Sequence, residues 1–195
     1  MLIYVIHTET AQTDHTVRKE DILKLKNEGN NTEKDSKDIV KYCEKAMDAY
    51  IQSLKACDIE HSPKLYAMTQ SNLANIYAKL ADIKEKAENY KKAIEAYGEA
   101  LKSSTLDQFP VEYATIQSNL GNTYSKLACL EDQDRNKCSE KAIEAYNESL
   151  KVFSRESFPM YYVLIQNNLG NEYGKLAGVE NIALSITNAK YGGLM

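Results

Sequence analysis

A twelve-residue segment that returns three times constrains this chain more than any other feature. Gln117-Ser118-Asn119-Leu120-Gly121-Asn122-Thr123-Tyr124-Ser125-Lys126-Leu127-Ala128 has an earlier copy at Gln70-Ser71-Asn72-Leu73-Ala74-Asn75-Ile76-Tyr77-Ala78-Lys79-Leu80-Ala81. A later copy lies at Gln166-Asn167-Asn168-Leu169-Gly170-Asn171-Glu172-Tyr173-Gly174-Lys175-Leu176-Ala177, and the offsets are 47 and 49 residues. A second pattern keeps step, in Ala46-Met47-Asp48-Ala49-Tyr50, Ala93-Ile94-Glu95-Ala96-Tyr97 and Ala142-Ile143-Glu144-Ala145-Tyr146. The prolines at 63, 110 and 159 do the same. A fixed period of this length means stacked copies of one supersecondary unit, each burying the face its neighbour exposes.

Both patterns read as helices. Tyr113, Ile116, Leu120, Tyr124 and Leu127 fall three or four apart and form one apolar stripe. The spacing predicts helices over about 36–57, 63–81, 84–103, 110–129, 137–153 and 159–178. Each proline sits where a helix begins, and there its missing N–H costs no hydrogen bond. Phe109 and Phe158 precede two of these prolines and are expected to pack as staples.

Asn-Leu-Gly-Asn-x-Tyr followed by Ala-x-x-x-Tyr-x-x-Ala/Ser-Leu resembles the two helices of a tetratricopeptide repeat. The likeness covers residues from about 36 to 178, and the period is longer than the family's usual 34 or so, as in the long-unit arrays of archaea and bacteria. It implies an all-α fold, a right-handed α-solenoid of stacked antiparallel helix pairs. It also implies a protein-protein interaction module that binds a peptide or extended segment on the inner face. Around that array, residues 1–35 read as an arm and a degenerate first helix or cap, and 179–195 as a truncated C-terminal cap.

Composition narrows the alternatives. The net charge of −4 leaves no basic excess to neutralise phosphates, which argues against nucleic acid. No apolar run approaches the length of a membrane span. Leu2-Ile3-Tyr4-Val5-Ile6 is too short for a secretory core. Cys43, Cys57, Cys129 and Cys138 lack C-x-x-C spacing and read as reduced cytoplasmic thiols. His7, His15 and His61 lie outside the repeated helices, and no nucleophile, base and orienting group occur as a set. No catalytic activity, cofactor or metal is expected, and the acidic turn Glu131-Asp132-Gln133-Asp134 reads as solvated.

The two kinds of helix differ in charge. Between Pro110 and Ala128 only Glu112 and Lys126 are ionised, whereas the partner helices are dense in charge, as in Lys84, Glu85, Lys86, Glu88, Lys91, Lys92, Glu95, Glu99 and Lys102. The charged helices are therefore expected to face solvent and the uncharged ones to line the inner wall. The candidate partner-binding residues there are Ser71, Asn72, Asn75 and Lys79; Ser118, Asn119, Asn122 and Lys126; and Asn167, Asn168, Asn171 and Lys175. Asparagine both donates and accepts, so it can pair with a peptide backbone, and lysine attracts a carboxylate.

In family members that grip the C-terminal carboxylate of heat-shock chaperones, two asparagines act with basic residues of the same face. Asn75 and Asn119 match the asparagines, but Ser71, Leu164 and Asn168 stand where the basic residues would be. A complete carboxylate clamp is therefore not expected. The competing reading is that the asparagines bond only to neighbouring helices, in a structural or self-assembling module without a separate ligand. The third uncharged helix lacks an Ala-Ile-x-Ala-Tyr partner, which suggests weak homodimer formation through the C-terminal end.

Overall fold

The structure, a computed structural model, describes residues 36–57, 59–130 and 134–191, with side chains as far as 178. The Leu2–Ile6 arm, the degenerate helix expected before residue 30 and the turn at 131–133 lie outside the described residues. Contacts divide the chain between Tyr42 and Cys43. Of the first part only the opening turns of a helix are described. Everything below concerns the second part, from Cys43 onward.

Six helices and no strand occur among the described residues: α1 (36–56), α2 (Pro63–Ala81), α3 (Lys86–Leu101), α4 (Pro110–Ala128), α5 (Arg135–Leu150) and α6 (Pro159–Tyr191). The prolines open α2, α4 and α6 as the sequence predicts. In each case the carbonyl of the residue before proline accepts the first helical bond. Tyr66 N–H donates to Ser62 O at 2.9 Å, Tyr113 to Phe109 at 2.8 Å and Tyr162 to Phe158 at 3.0 Å. α2 ends by tightening, with Ile83 N–H on Leu80 O at 2.9 Å. Glu85 then takes a left-handed φ of 49° to turn the chain into α3. That conformation costs a non-glycine residue roughly 1–2 kcal/mol. Two bonds hold the turn, Asn89 N–H to Glu85 O at 2.9 Å and Asn89 Nδ2 to Lys84 O at 3.0 Å.

α2 packs on α3 and α4 on α5 most extensively; α3 meets α4, α5 meets α6, and α2, α4 and α6 touch in succession. Close approach is possible because the contacts are made of alanine. Ala74, Ala93, Ala100, Ala114 and Ala142 are wholly buried. Into these narrow seams go two large rings, Tyr97 and Tyr146, each 1% exposed. A buried tyrosine withdraws on the order of 150 Å² or more from water. That is about 4 kcal/mol before the entropy of ordering the ring is subtracted.

The size of the residue facing each ring is fixed by the ring itself. A Cβ on Gly121 would stand 2.6 Å from Tyr146 Cε1, inside contact distance, whereas Ala74 fills the equivalent place opposite Tyr97. Phe158 packs edge-on against Phe153 at 5.2 Å between centroids, and Tyr161 stacks on Phe153 at 4.5 Å, so this staple closes the α5–α6 corner.

The charged helices carry their ion pairs on exposed positions, among them Lys92–Glu88 at 2.7 Å and Lys151–Glu148 at 2.6 Å. Such pairs contribute a few tenths of a kcal/mol. No helix among the described residues is long and apolar enough to cross a membrane.

One boundary differs from expectation. The last helix was expected to stop near Gly178, with 179–195 as a truncated cap after it. α6 instead runs unbroken from Pro159 to Tyr191. A single glycine costs a helix about 1 kcal/mol, too little to stop one whose next residues include no proline and offer Val179, Ile182, Ala183 and Leu184 to continue it.

The contrast between the two glycines is directly testable. Gly121→Leu is expected to destabilise the chain by about 1–3 kcal/mol through overpacking against Tyr146. Gly170→Ala, where a Cβ meets nothing within 4 Å, is expected to stabilise it by up to about 1 kcal/mol. Urea midpoints at constant m-value report both.

Candidate partner-binding face

Successive uncharged helices bring the repeated asparagines together, and they do so in a fixed pattern. Asn75 Oδ1 accepts from Tyr97 Oη at 2.5 Å, and also from Asn119 Nδ2 at 3.3 Å. One unit later Asn122 Oδ1 accepts from Tyr146 Oη at 2.8 Å and from Asn168 Nδ2 at 2.9 Å. In these two units the second asparagine of the motif thus joins its own unit's buried tyrosine to the first asparagine of the next unit. The tyrosine phenols, desolvated in the core, have their ionisation pushed well above the ordinary range, so each keeps its proton to donate to the asparagine.

The lysines are also engaged. Lys126 Nζ lies 2.8 and 2.9 Å from the two carboxylate oxygens of Asp82 and 5.8 Å from the centroid of the Tyr90 ring, while Tyr90 Oη donates to the same Asp82. Partial burial opposes ionisation of Asp82, but the Lys126 and Tyr90 hydrogen bonds and the Lys126 and Lys86 charges outweigh it. They hold the carboxyl below the usual carboxylate range. Lys175 donates to Glu172 Oε1 at 2.6 Å and to Ser125 Oγ at 3.0 Å. Ser125 in turn donates to Glu172 Oε1 at 2.5 Å.

Glu172 is 1% exposed, and its Oε2 has no partner among the described residues. A buried carboxylate tolerates such a place only when paired. Its counterparts are Ile76 and Thr123, so the one charged residue at this register is the signal that a reading for shared motifs passes over. Asp82 was missed for the same reason, since Cys129 and Gly178 hold its place in the other units.

Of the twelve candidate residues, Ser71, Asn72, Lys79, Ser118, Asn167 and Asn171 form no side-chain hydrogen bond or ion pair among the described residues. Ser71 and Asn72 border a cavity of about 300 Å³ between the first halves of α2 and α4, with Met68, Val111, Thr115 and Ile116 in its wall. Lys64 and Glu112, paired at 2.7 Å, also line it, as does Ser104, whose buried hydroxyl has no partner among the described residues. A smaller cavity of about 170 Å³ lies over Asn75, Asn119, Asn122 and Lys126. Leu65, Met68, Val111, Met160, Val163 and Leu164 are all exposed on these helices. No group of three or more His, Cys, Asp or Glu side chains that could hold a metal occurs among the described residues.

The chain matches no family model, no curated protein and no solved structure.

Two outcomes follow from this geometry. Asn75→Ala leaves the Tyr97 hydroxyl buried without an acceptor and is expected to cost about 1–3 kcal/mol. Asn72→Ala is expected to stay within about 0.5 kcal/mol, and Tyr97→Phe should cancel part of the Asn75→Ala loss in a double-mutant cycle. The second outcome concerns acid. Because the folded-state pKa of Asp82 lies below its unfolded value, its contribution is complete above about pH 4 and is lost as pH falls through the folded value. The side chain is half exposed, so the contribution is about 0.2–1 kcal/mol. Urea midpoints of the parent and Asp82→Asn should therefore differ at neutral pH and converge as pH falls below 4.

Proposed function

We propose that this chain is a protein-protein interaction module, a tetratricopeptide-like α-solenoid whose α2–α4–α6 face binds an extended peptide segment. The observation that carries this reading is the roughly 300 Å³ cavity between α2 and α4, an apolar seat bordered by Ser71 and Asn72, which make no side-chain bond among the described residues. A cavity of that size accepts one aliphatic or aromatic side chain, and the Asn72 amide can pair with the N–H and C=O of the peptide that carries it.

Recognition on this face rests on amides and apolar contact more than on charge. Lys126 and Lys175 already hold carboxylates, so of the lysine row only Lys79 is available to an acidic group. The module acts without catalysis or a cofactor. A cytoplasmic setting suits its four cysteines, none of which forms a disulfide among the described residues.

The test is binding to an arrayed library of random peptides, followed by titration of the best binder. Met68→Glu combined with Asn72→Ala is expected to weaken that binder at least tenfold, while Lys92→Ala with Glu99→Ala on the charged helix leaves it unchanged. Equal loss in both variants, or no peptide retained by the array, overturns the reading.

A further inference from the structure

In each complete unit a charged helix covers a specific face of the uncharged helix before it. α3 does this for α2, and α5 for α4. Four contacts define the arrangement on α4. The Tyr146 ring lies over Gly121, Tyr146 Oη donates to Asn122, Lys141 stands over the Tyr124 ring at 5.3 Å, and Tyr113 Oη donates to Glu148 at 2.7 Å.

On α6 the same register offers Gly170, Asn171, Tyr173 and Tyr162; the first three are exposed and Tyr162 is half-buried. A Cβ on Gly170 would meet no atom within 4 Å, Asn171 has no partner among the described residues, and Tyr173 is 54% exposed. α6 thus presents an acceptor face for a helix of the charged type.

α1 presents the complementary face. It carries the charged-helix pattern, with Tyr50 at the place of Tyr97 and Tyr146, Lys45 at that of Lys92 and Lys141, and Gln52 at that of Glu99 and Glu148. Yet among the described residues nothing closes its seam. Ala49 and Ser53 are exposed and Tyr50 is only half-buried, whereas Ala145, Ser149 and Tyr146 are buried.

We infer that α1 of one molecule docks on α6 of a second copy and completes there, between two chains, the helix pair that α4 and α5 make within one. Tyr50 covers Gly170 and donates to Asn171, Lys45 lies over Tyr173, and Gln52 accepts from Tyr162. The occupant is a second copy because α1 supplies all four matching groups in the correct register. The contact joins two different faces, so it is heterologous and leaves one of each free at the ends of every assembly. It is independent of peptide binding on the α2–α4–α6 face.

The experiment is sedimentation of the full chain across a wide concentration range. The expected result is an average mass that rises past the dimer. Tyr50→Ala and Gly170→Leu each block one face and should be monomeric with unchanged helical circular dichroism. An equimolar mixture of the two should reach twice the monomer mass and stop, because the intact α6 of the first accepts the intact α1 of the second. Should either variant fail to fold, Lys45→Glu and Tyr173→Glu, both at exposed positions, serve in their place. A parent chain that stays monomeric, one that stops at the dimer, or a mixture that stays monomeric overturns the inference.

Discussion

The packing of this protein depends on a tyrosine ring pressed flat against a residue with almost no side chain. Tyr97 meets Ala74 and Tyr146 meets Gly121, and in both places the ring can be buried only because the opposing helix gives up volume. Burial alone would strand the hydroxyl. An asparagine one residue further along the opposing helix accepts it, so apolar and polar requirements of the same side chain are met by neighbours in the sequence. The spacing Gly/Ala-Asn is therefore a packing instruction before it is anything else.

That explains which parts of the structure were legible beforehand. Helix number, order and proline starts followed from periodicity and from the chemistry of a residue without an N–H. The small residue was legible as a close-approach site, which it is at 74 and 121, but at 170, where no charged helix is described against it, a Cβ would meet nothing within 4 Å. The roles of the asparagines were not legible, because an Asn-x-x-Asn motif looks the same whether its amides face a ligand or a neighbouring helix. Only the partners separate Asn72, which makes no side-chain bond, from Asn75, which makes two. Asp82 and Glu172 were harder still: both occur in a single unit, so comparison among units averaged them away, yet they hold the carboxylates that engage two of the three lysines. The end of α6 was misplaced because one glycine is a weak stop signal when nothing after it opposes helix.

The candidate face is consequently less uniform than a ladder of identical rungs. Its first unit keeps Ser71 and Asn72 beside an apolar cavity, its middle is taken up by bonds between units, and its last unit buries an acid where the others place isoleucine or threonine. Copies that began alike have been divided between recognition and cohesion, and the difference lies in two or three side chains per unit.

The asparagine bonds also have a direction. Each runs from an amide nitrogen in the later unit to an oxygen in the earlier one, and that oxygen is shared with the earlier unit's own tyrosine. When a later unit opens, the earlier asparagine loses one of two donors but keeps its tyrosine. When an earlier unit opens, the later one loses that acceptor, and its amide, at an exposed position, turns to water. The coupling between two units is one free energy whichever of them opens first, so each asparagine bridge makes the opening of a repeat loosen its neighbour equally in both directions along a chemically repetitive chain.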